Sequence, residues 1–199
     1  YSSNLTNQEN YSLSFDGSGD YVDFGDVLDQ NSSFSFSVWA YITDNGSYLC
    51  LGSKQDWNSS DLYNGWYIYY DYFTDEIIFD VQDRDPGPGP RTYGTMIPNT
   101  WTHYVGVFDA GNSVKLYQNG NLVSTNTNSI PNSLDDNGAN FLLGALNNTD
   151  NWNFNGKLDE VAIWNEPLSA NEVSALYNSG LPLSANSNSG NYTSSANLK

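Results

Sequence analysis

The chain is poor in the residues that staple or catalyse: it has one cysteine, one histidine and one methionine in 199 residues. A lone cysteine, Cys50, excludes an intrachain disulfide. It lies in the apolar run Tyr48-Leu49-Cys50-Leu51 and reads as a small buried hydrophobe. One histidine and one cysteine leave no ligand set for a zinc site of ordinary composition. Any Ser-His-Asp or Cys-His site would have to use His103. That residue sits in WTHYVGVF (101–108), where packing or a buried hydrogen bond is the simpler role. Basic residues are also scarce, six against 23 acidic ones, for a net charge of −17. Such a chain is repelled by nucleic acid and by anionic membrane surfaces. No stretch approaches the ~20 apolar residues of a membrane span, so no membrane insertion is expected. No signal peptide is seen, and an opening at Tyr1 reads as a processed or excised product.

What is abundant points the other way. There are 28 Asn, 25 Ser, 15 Tyr and six Trp. Disordered acidic chains lack aromatics, so most of this chain is expected to fold. Its length suits one large β domain and is enough to bury a core without staples. A surface of Asn, Ser, Thr and Tyr with little Lys suggests an extracellular or cell-surface setting. The many Asp and Asn oxygens suit Ca²⁺, the one cofactor the composition favours.

Period-2 alternation dominates and predicts strands near 11–15, 21–24, 34–42, 47–51, 65–72, 76–82, 92–97, 101–109, 113–118, 121–126, 140–146 and 156–164. Asn119-Gly120 between KLYQ and NLVS predicts a type I′ hairpin. Many short strands without helical crossovers mean an antiparallel sandwich. DRDPGPGPR (83–91) cannot be a central strand and reads as a stiff loop. One helix is expected: Ser169 and Glu172 form a capping box, Leu168 and Val173 a hydrophobic staple, and Gly180 closes it. Residues 182–199 are polar and of low complexity, with little to bury alone. They need support from their own domain, a lattice or a neighbouring subunit.

Three segments, SLSFDGSGDYVDFG (12–25), TWTHYVGVFDAGNSVKLYQNGNLV (100–123) and FNGKLDEVAIWNEPLSANEVSALY (154–177), resemble in order and spacing the laminin-G-like branch of the concanavalin A-like lectin/glucanase superfamily, near the pentraxins. The resemblance spans about residues 11–180. It leaves an N-terminal extension, 1–10, and a polar tail, 181–199. It implies an all-β fold, a two-sheet antiparallel jelly-roll sandwich with one short C-terminal helix. It also implies binding modules far more often than enzymes.

The glucanases of that superfamily carry carboxylates in an E-x-D-x-x-E arrangement. In DEIIFD (75–80), Glu76 and Asp80 share a face but Ile78 lies between them. In LDEVAIW (158–164), strand alternation sends Asp159 and Glu160 to opposite faces. Neither matches. The resemblance further implies a structural Ca²⁺ joining first strand to last, which maps onto Asp16, Asp20 and Asp159. Asx turns at Asp16 and Asp20 are the competing reading. The pentraxin comparison implies a ligand site on Asp56, Trp57 and Asn58 from one loop and Asn147, Asn148, Asp150 and Trp152 from another. This chain offers mostly Asn in the second loop, so any ion there would be held more weakly. Trp57 and Trp152 can stack on sugar rings or anchor a protein partner, or simply pack their loops.

Two functions follow from different classes. One is a non-catalytic binding module for glycan or an extracellular protein surface. The other is a homo-oligomer or polymer subunit of a filament, sheath or adhesin, in which a tail adds a strand to a neighbour's sheet. A glycoside hydrolase is a remote third.

Overall fold

The computed structural model describes residues 11–29, 32–57, 63–83, 89–134, 138–146 and 152–199, the side chains of Asp56, Trp57 and Tyr63 excepted. Runs of alternating or continuous apolar residues form β1 (Leu13–Asp16), β2 (Val22–Asp23), β3 (Phe34–Ile42), β4 (Leu49–Trp57), β5 (Tyr63–Asp71), β6 (Glu76–Asp83), β7 (Arg91–Thr95), β8 (Trp101–Asp109), β9 (Ser113–Gln118), β10 (Asn121–Asn126), β11 (Leu142–Leu143) and β12 (Asn155–Trp164). They build two six-stranded sheets, ordered β1-β12-β3-β8-β9-β10 and β2-β11-β4-β5-β6-β7. Every pairing is antiparallel. Asn119 and Gly120 both have positive φ, 50° and 75°, as the type I′ turn between β9 and β10 requires.

The core lies between the sheets. Phe34, Phe36, Trp66, Phe79 and Phe108 are buried there with ring centroids 5.0–6.5 Å apart. Gly106 faces this cluster: a Cβ there would stand 2.7 Å from the Phe79 ring. The outer faces are not bare. On the first sheet, α1 (Ala170–Tyr177) packs Val173 and Leu176 against Val105, Val107, Tyr117 and Trp164. The capping box forms as expected, with Ser169 and Glu172 bonding reciprocally. The helix stops differently: Asn178, not Gly180, takes the left-handed C-cap position (φ 44°, ψ 47°).

Residues 182–199 are held by their own domain. Leu198 bridges Trp164, Lys199 N donates to Ile163 O at 2.9 Å, and Tyr192 is fully buried. The Tyr192 hydroxyl accepts from Trp164 Nε1 at 2.8 Å and donates to Ala185 O at 2.6 Å. Thr193 and Ser194 hydroxyls both donate to Glu172. The capping carboxylate therefore also clasps the tail, and its charge is stabilised by those bonds. A polar tail thus gains order through one aromatic anchor and the open edge of β12. The motive for reading it as an arm lent to a neighbour is met within the chain.

β4 runs past its expected end. Lys54 and Gln55, beyond the strand expected at 47–51, and Asp56, expected in a loop, are strand residues paired with Trp66, Gly65 and Asn64. Lys54 is buried, its ammonium 3.0 Å from Asp26 and 3.1 Å from Asp29. Polar residues fill buried strand positions here, so hydrophobic alternation gave no sign of the extension.

Candidate functional site

The sequence-predicted metal ligands separate. Asp16 pairs with Asn155 across β1 and β12, and Asp159 stands four residues further along β12, roughly 13 Å at strand spacing. Asp16 Oδ1 accepts from Ser18 N at 2.9 Å and Asp20 Oδ2 from Asp16 N at 3.3 Å, an Asx-turn loop. Asp159 Oδ1 accepts from Glu160 N at 2.8 Å. The three carboxylates do not fit one calcium ion. No three His, Cys, Asp or Glu side chains converge on a metal position among the described residues.

Alternation also fails where it was used to part Asp159 from Glu160. From Asp159 to Ala162 β12 advances three residues while β3 advances two, Trp39 to Ser37. This is a β-bulge, and Glu160 takes φ +46° within it. Burial and the Asp159 charge both push the Glu160 carboxyl up.

Of the predicted ligand residues, Asn58, Asn147, Asn148 and Asp150 lie outside the described residues, and of Asp56 and Trp57 only the backbone is described. Trp152 is described in full. Its carbonyl accepts from Cys50 N at 2.9 Å, and its backbone is left-handed, φ +63°. A bulky residue keeps such a conformation only where its surroundings impose it. The indole stacks on Tyr48 at 4.5 Å and 22°, with Tyr69 at 4.8 Å behind. Tyr72 and Phe73 extend the group, Tyr72 lying 5.2 Å from Tyr48 and Phe73 71% exposed.

Of these rings Tyr48, Tyr72 and Trp152 wall a cleft of about 320 Å³, completed by Gly17, Asn45, Gly46, Ser47 and Asn153. The Asp16–Asp20 loop and the Trp152 loop both reach this cleft, through Gly17 and Trp152, and a Cβ on Gly17 would lie 3.0 Å from Asn45 Nδ2. The carboxylates around it hold turns. Asp16, Asp44 and Asp71 each accept, at 2.9 Å, the backbone N–H two residues ahead. The sequence names Trp152 as a candidate but not Tyr48, Tyr72 or Phe73 beside it. For Tyr72 and Phe73 the one signal was the aromatic density of YIYYDYF (67–73), whereas Tyr48 stood at the head of the apolar run Tyr48-Leu49-Cys50-Leu51.

On the same outer sheet face, deeper in, lies a polar knot. Asp80 is fully buried, and its Oδ2 accepts from Tyr67 at 2.9 Å, Gln82 at 3.1 Å and Arg91 Nε. Its Oδ1 has no partner among the described residues. Burial raises the carboxyl above its ordinary range although Arg91 and the hydrogen bonds oppose that. His103, on the other sheet, has Nε2 2.8 Å from Ser37 Oγ and is held down to about 3 by burial, hence neutral. Cys50 is buried and its thiol is pushed up to about 12, so it is inert.

Two antiparallel six-stranded sheets with loops and an aromatic cleft at one end define a lectin-like jelly-roll sandwich. The chain belongs to the concanavalin A-like lectin/glucanases superfamily, whose laminin-G family model matches residues 16–174. No curated protein matches it in sequence. Among solved structures it is similar to a mutant NanB sialidase from Streptococcus pneumoniae (TM-score 0.67, 21% identity, 87% of this chain and 27% of that one). It is also similar to a native heptameric SAP-like pentraxin from Limulus polyphemus (TM-score 0.63, 16% identity, 83% and 81%). A third is the binding domain of botulinum neurotoxin DC in complex with SialylT (TM-score 0.56, 14% identity, 75% and 36%). The chain spans little more than a quarter of the sialidase and about a third of the toxin chain. At these identities the likeness is one of fold, which occurs in binding domains and within an enzyme alike.

Proposed function

We propose that this domain is a non-catalytic extracellular carbohydrate-binding module whose ligand enters the cleft of Tyr48, Tyr72 and Trp152. The observation that carries the reading is Trp152, pinned in a left-handed conformation with its ring stacked on Tyr48 at the mouth of a polar cleft. Such a wall offers a rigid apolar face to a sugar ring. The Asn45 and Asn153 amides and the Ser47 hydroxyl supply donors and acceptors for its hydroxyls. Asp16, Asp44 and Asp71 are engaged by backbone N–H groups, which favours binding over hydrolysis. The superfamily description and the neighbour solved with SialylT support glycan as the ligand class. An acidic, Asn- and Ser-rich surface supports an extracellular setting.

A glycan array probed with wild type and Trp152→Ala tests this. Wild type should bind a restricted set of glycans, and Trp152→Ala should lose that signal while keeping its circular-dichroism spectrum. Absence of wild-type binding above background, or equal binding by the variant, refutes the reading.

A further inference from the structure

We propose that the outer face of the first sheet carries a second site, for a neutral saccharide, in a groove between Trp39, Trp101 and the turn that leaves α1. It shares no residue with the Trp152 cleft and does not depend on it. Strand register builds its floor. Lys157, Tyr41 and Trp101 stand side by side on β12, β3 and β8, and Asp159, Trp39 and His103 form the next rank. Residues two apart on a strand share a face, so both ranks look outward. Trp39 closes the floor at 6% exposure, held in one orientation by the nearly parallel rings of His103 at 5.2 Å and Tyr177 at 5.7 Å. Trp101 rises beside it, 38% exposed, with its ring braced edge-on by Tyr41 at 5.9 Å. Gly180, Leu181 and Pro182 form the opposite wall, and Leu181 is 71% exposed. The groove holds about 390 Å³, within the ~300–1,000 Å³ usual for small-ligand sites.

The polar groups are as specific as the rings. The β12 bulge sets Asp159 in this groove, and the non-glycine residue after it accepts a left-handed backbone, φ +46°. Bulges of this kind re-aim a side chain, and residues in sparsely populated backbone regions cluster at ligand sites. Glu160 N fixes Asp159 Oδ1 at 2.8 Å, so the carboxylate is oriented, and Oδ2 has no hydrogen bond among the described residues. Lys157, two residues before, lines the same groove as a donor and has no ion-pair partner among the described residues. One acceptor, one donor and two indoles suit a pyranose: rings for its C–H face, carboxylate and ammonium for its hydroxyls. The two charges cancel locally, and the domain carries −17 overall, which disfavours sialylated or sulfated sugars.

The test is a titration of ¹⁵N-labelled protein, followed by the tryptophan indole N–H signals. The probes are the methyl glycosides of glucose, galactose, mannose and N-acetylglucosamine, with sialyllactose as the acidic comparison. At least one neutral probe should shift the Trp39 and Trp101 indole signals saturably, and sialyllactose should leave them in place. Trp101→Ala and Asp159→Asn should each weaken that binding by about tenfold or more, whereas Trp152→Ala should not change it. Asp159→Asn keeps the oxygen that receives Glu160 N, so it reads the charge without disturbing the bulge. The proposal is overturned if no neutral probe moves these signals, if sialyllactose moves them, or if Asp159→Asn binds like wild type. Loss of the response in Trp152→Ala would also overturn it, by assigning the signal to the other cleft.

Discussion

Replacing Arg91 by Met should expose how the polar knot on β6 is balanced. Asp80 has no accessible surface, and Arg91 is the cation paired with it. Tyr67 and Gln82 also bond Oδ2, while Oδ1 has no partner among the described residues. Removing one partner of a buried pair costs about 3–5 kcal/mol because a charge stays behind uncompensated. The Arg91 side chain is 29% exposed, so solvent already screens part of the pair, and about 3 kcal/mol is the expected loss near neutral pH. The loss should depend on pH in a definite direction. A carboxyl whose folded pKa lies above its unfolded one favours the folded state at low pH, and that contribution is lost as pH rises through the folded value. Asp80 is raised by burial and lowered by Arg91, so Arg91→Met raises it further and widens that window upward. The Arg91→Met deficit should therefore be full near neutral pH and shrink under mildly acid conditions, by at most about 1.4 kcal/mol per pH unit. Urea denaturation of both proteins, followed by tryptophan fluorescence, gives the difference directly and cancels the other carboxylates. In an Asp80→Asn background the same replacement should cost under about 1 kcal/mol, because no buried charge remains. A deficit equally large at both pH values, or equally large in the Asp80→Asn background, would refute the reasoning.

Other perturbations have equally definite outcomes. His103 titrates near 3 in the fold, so the unfolded chain takes up a proton below about pH 6.5 that the native protein refuses. Stability should fall by about 1.4 kcal/mol per unit as pH drops through that window, and denaturation of His103→Gln should show a flatter slope. Tyr192→Phe leaves the Trp164 indole N–H without its acceptor and should cost about 1–3 kcal/mol, whereas Tyr192→Ala should cost about 3–5 kcal/mol and open residues 182–199 to proteolysis. Gly106→Ala drives a methyl into the Phe79 ring and should lower the urea midpoint by the equivalent of about 1–3 kcal/mol.

Strand order along the chain was legible because nearly every strand alternates or runs apolar between Gly, Asn and Asp breaks, as in Phe34–Ile42 and Trp101–Asp109. The helix start was legible for a local reason: a capping box needs only Ser169 and Glu172. Its end was not, because Asn and Gly can both adopt the left-handed conformation, and Asn178 comes first. The sites were harder. Trp152 stood out as a loop aromatic, but its partner Tyr48 adjoins an apolar run and looked like core. The Asp159–Glu160 bulge cannot be read from composition, since one extra residue leaves the apolar pattern of LDEVAIW plausible on either register. Lys54 was hidden for the opposite reason: a lysine is seldom assigned to a buried strand, and two distant aspartates make it possible there.

The pairing of β1 with β12, and of β12 with the last residues, also governs when the fold can close. β1 ends at Asp16, yet its partner begins at Asn155, so nearly the whole chain must be available before that ladder forms. Contacts between such distant segments carry the loop-closure cost first and are gained late, which makes folding slow. During synthesis β3 can find β8, but its other edge stays open until β12 emerges. Over that interval the growing chain presents an unpaired aromatic strand, Phe34–Ile42, to every other chain nearby.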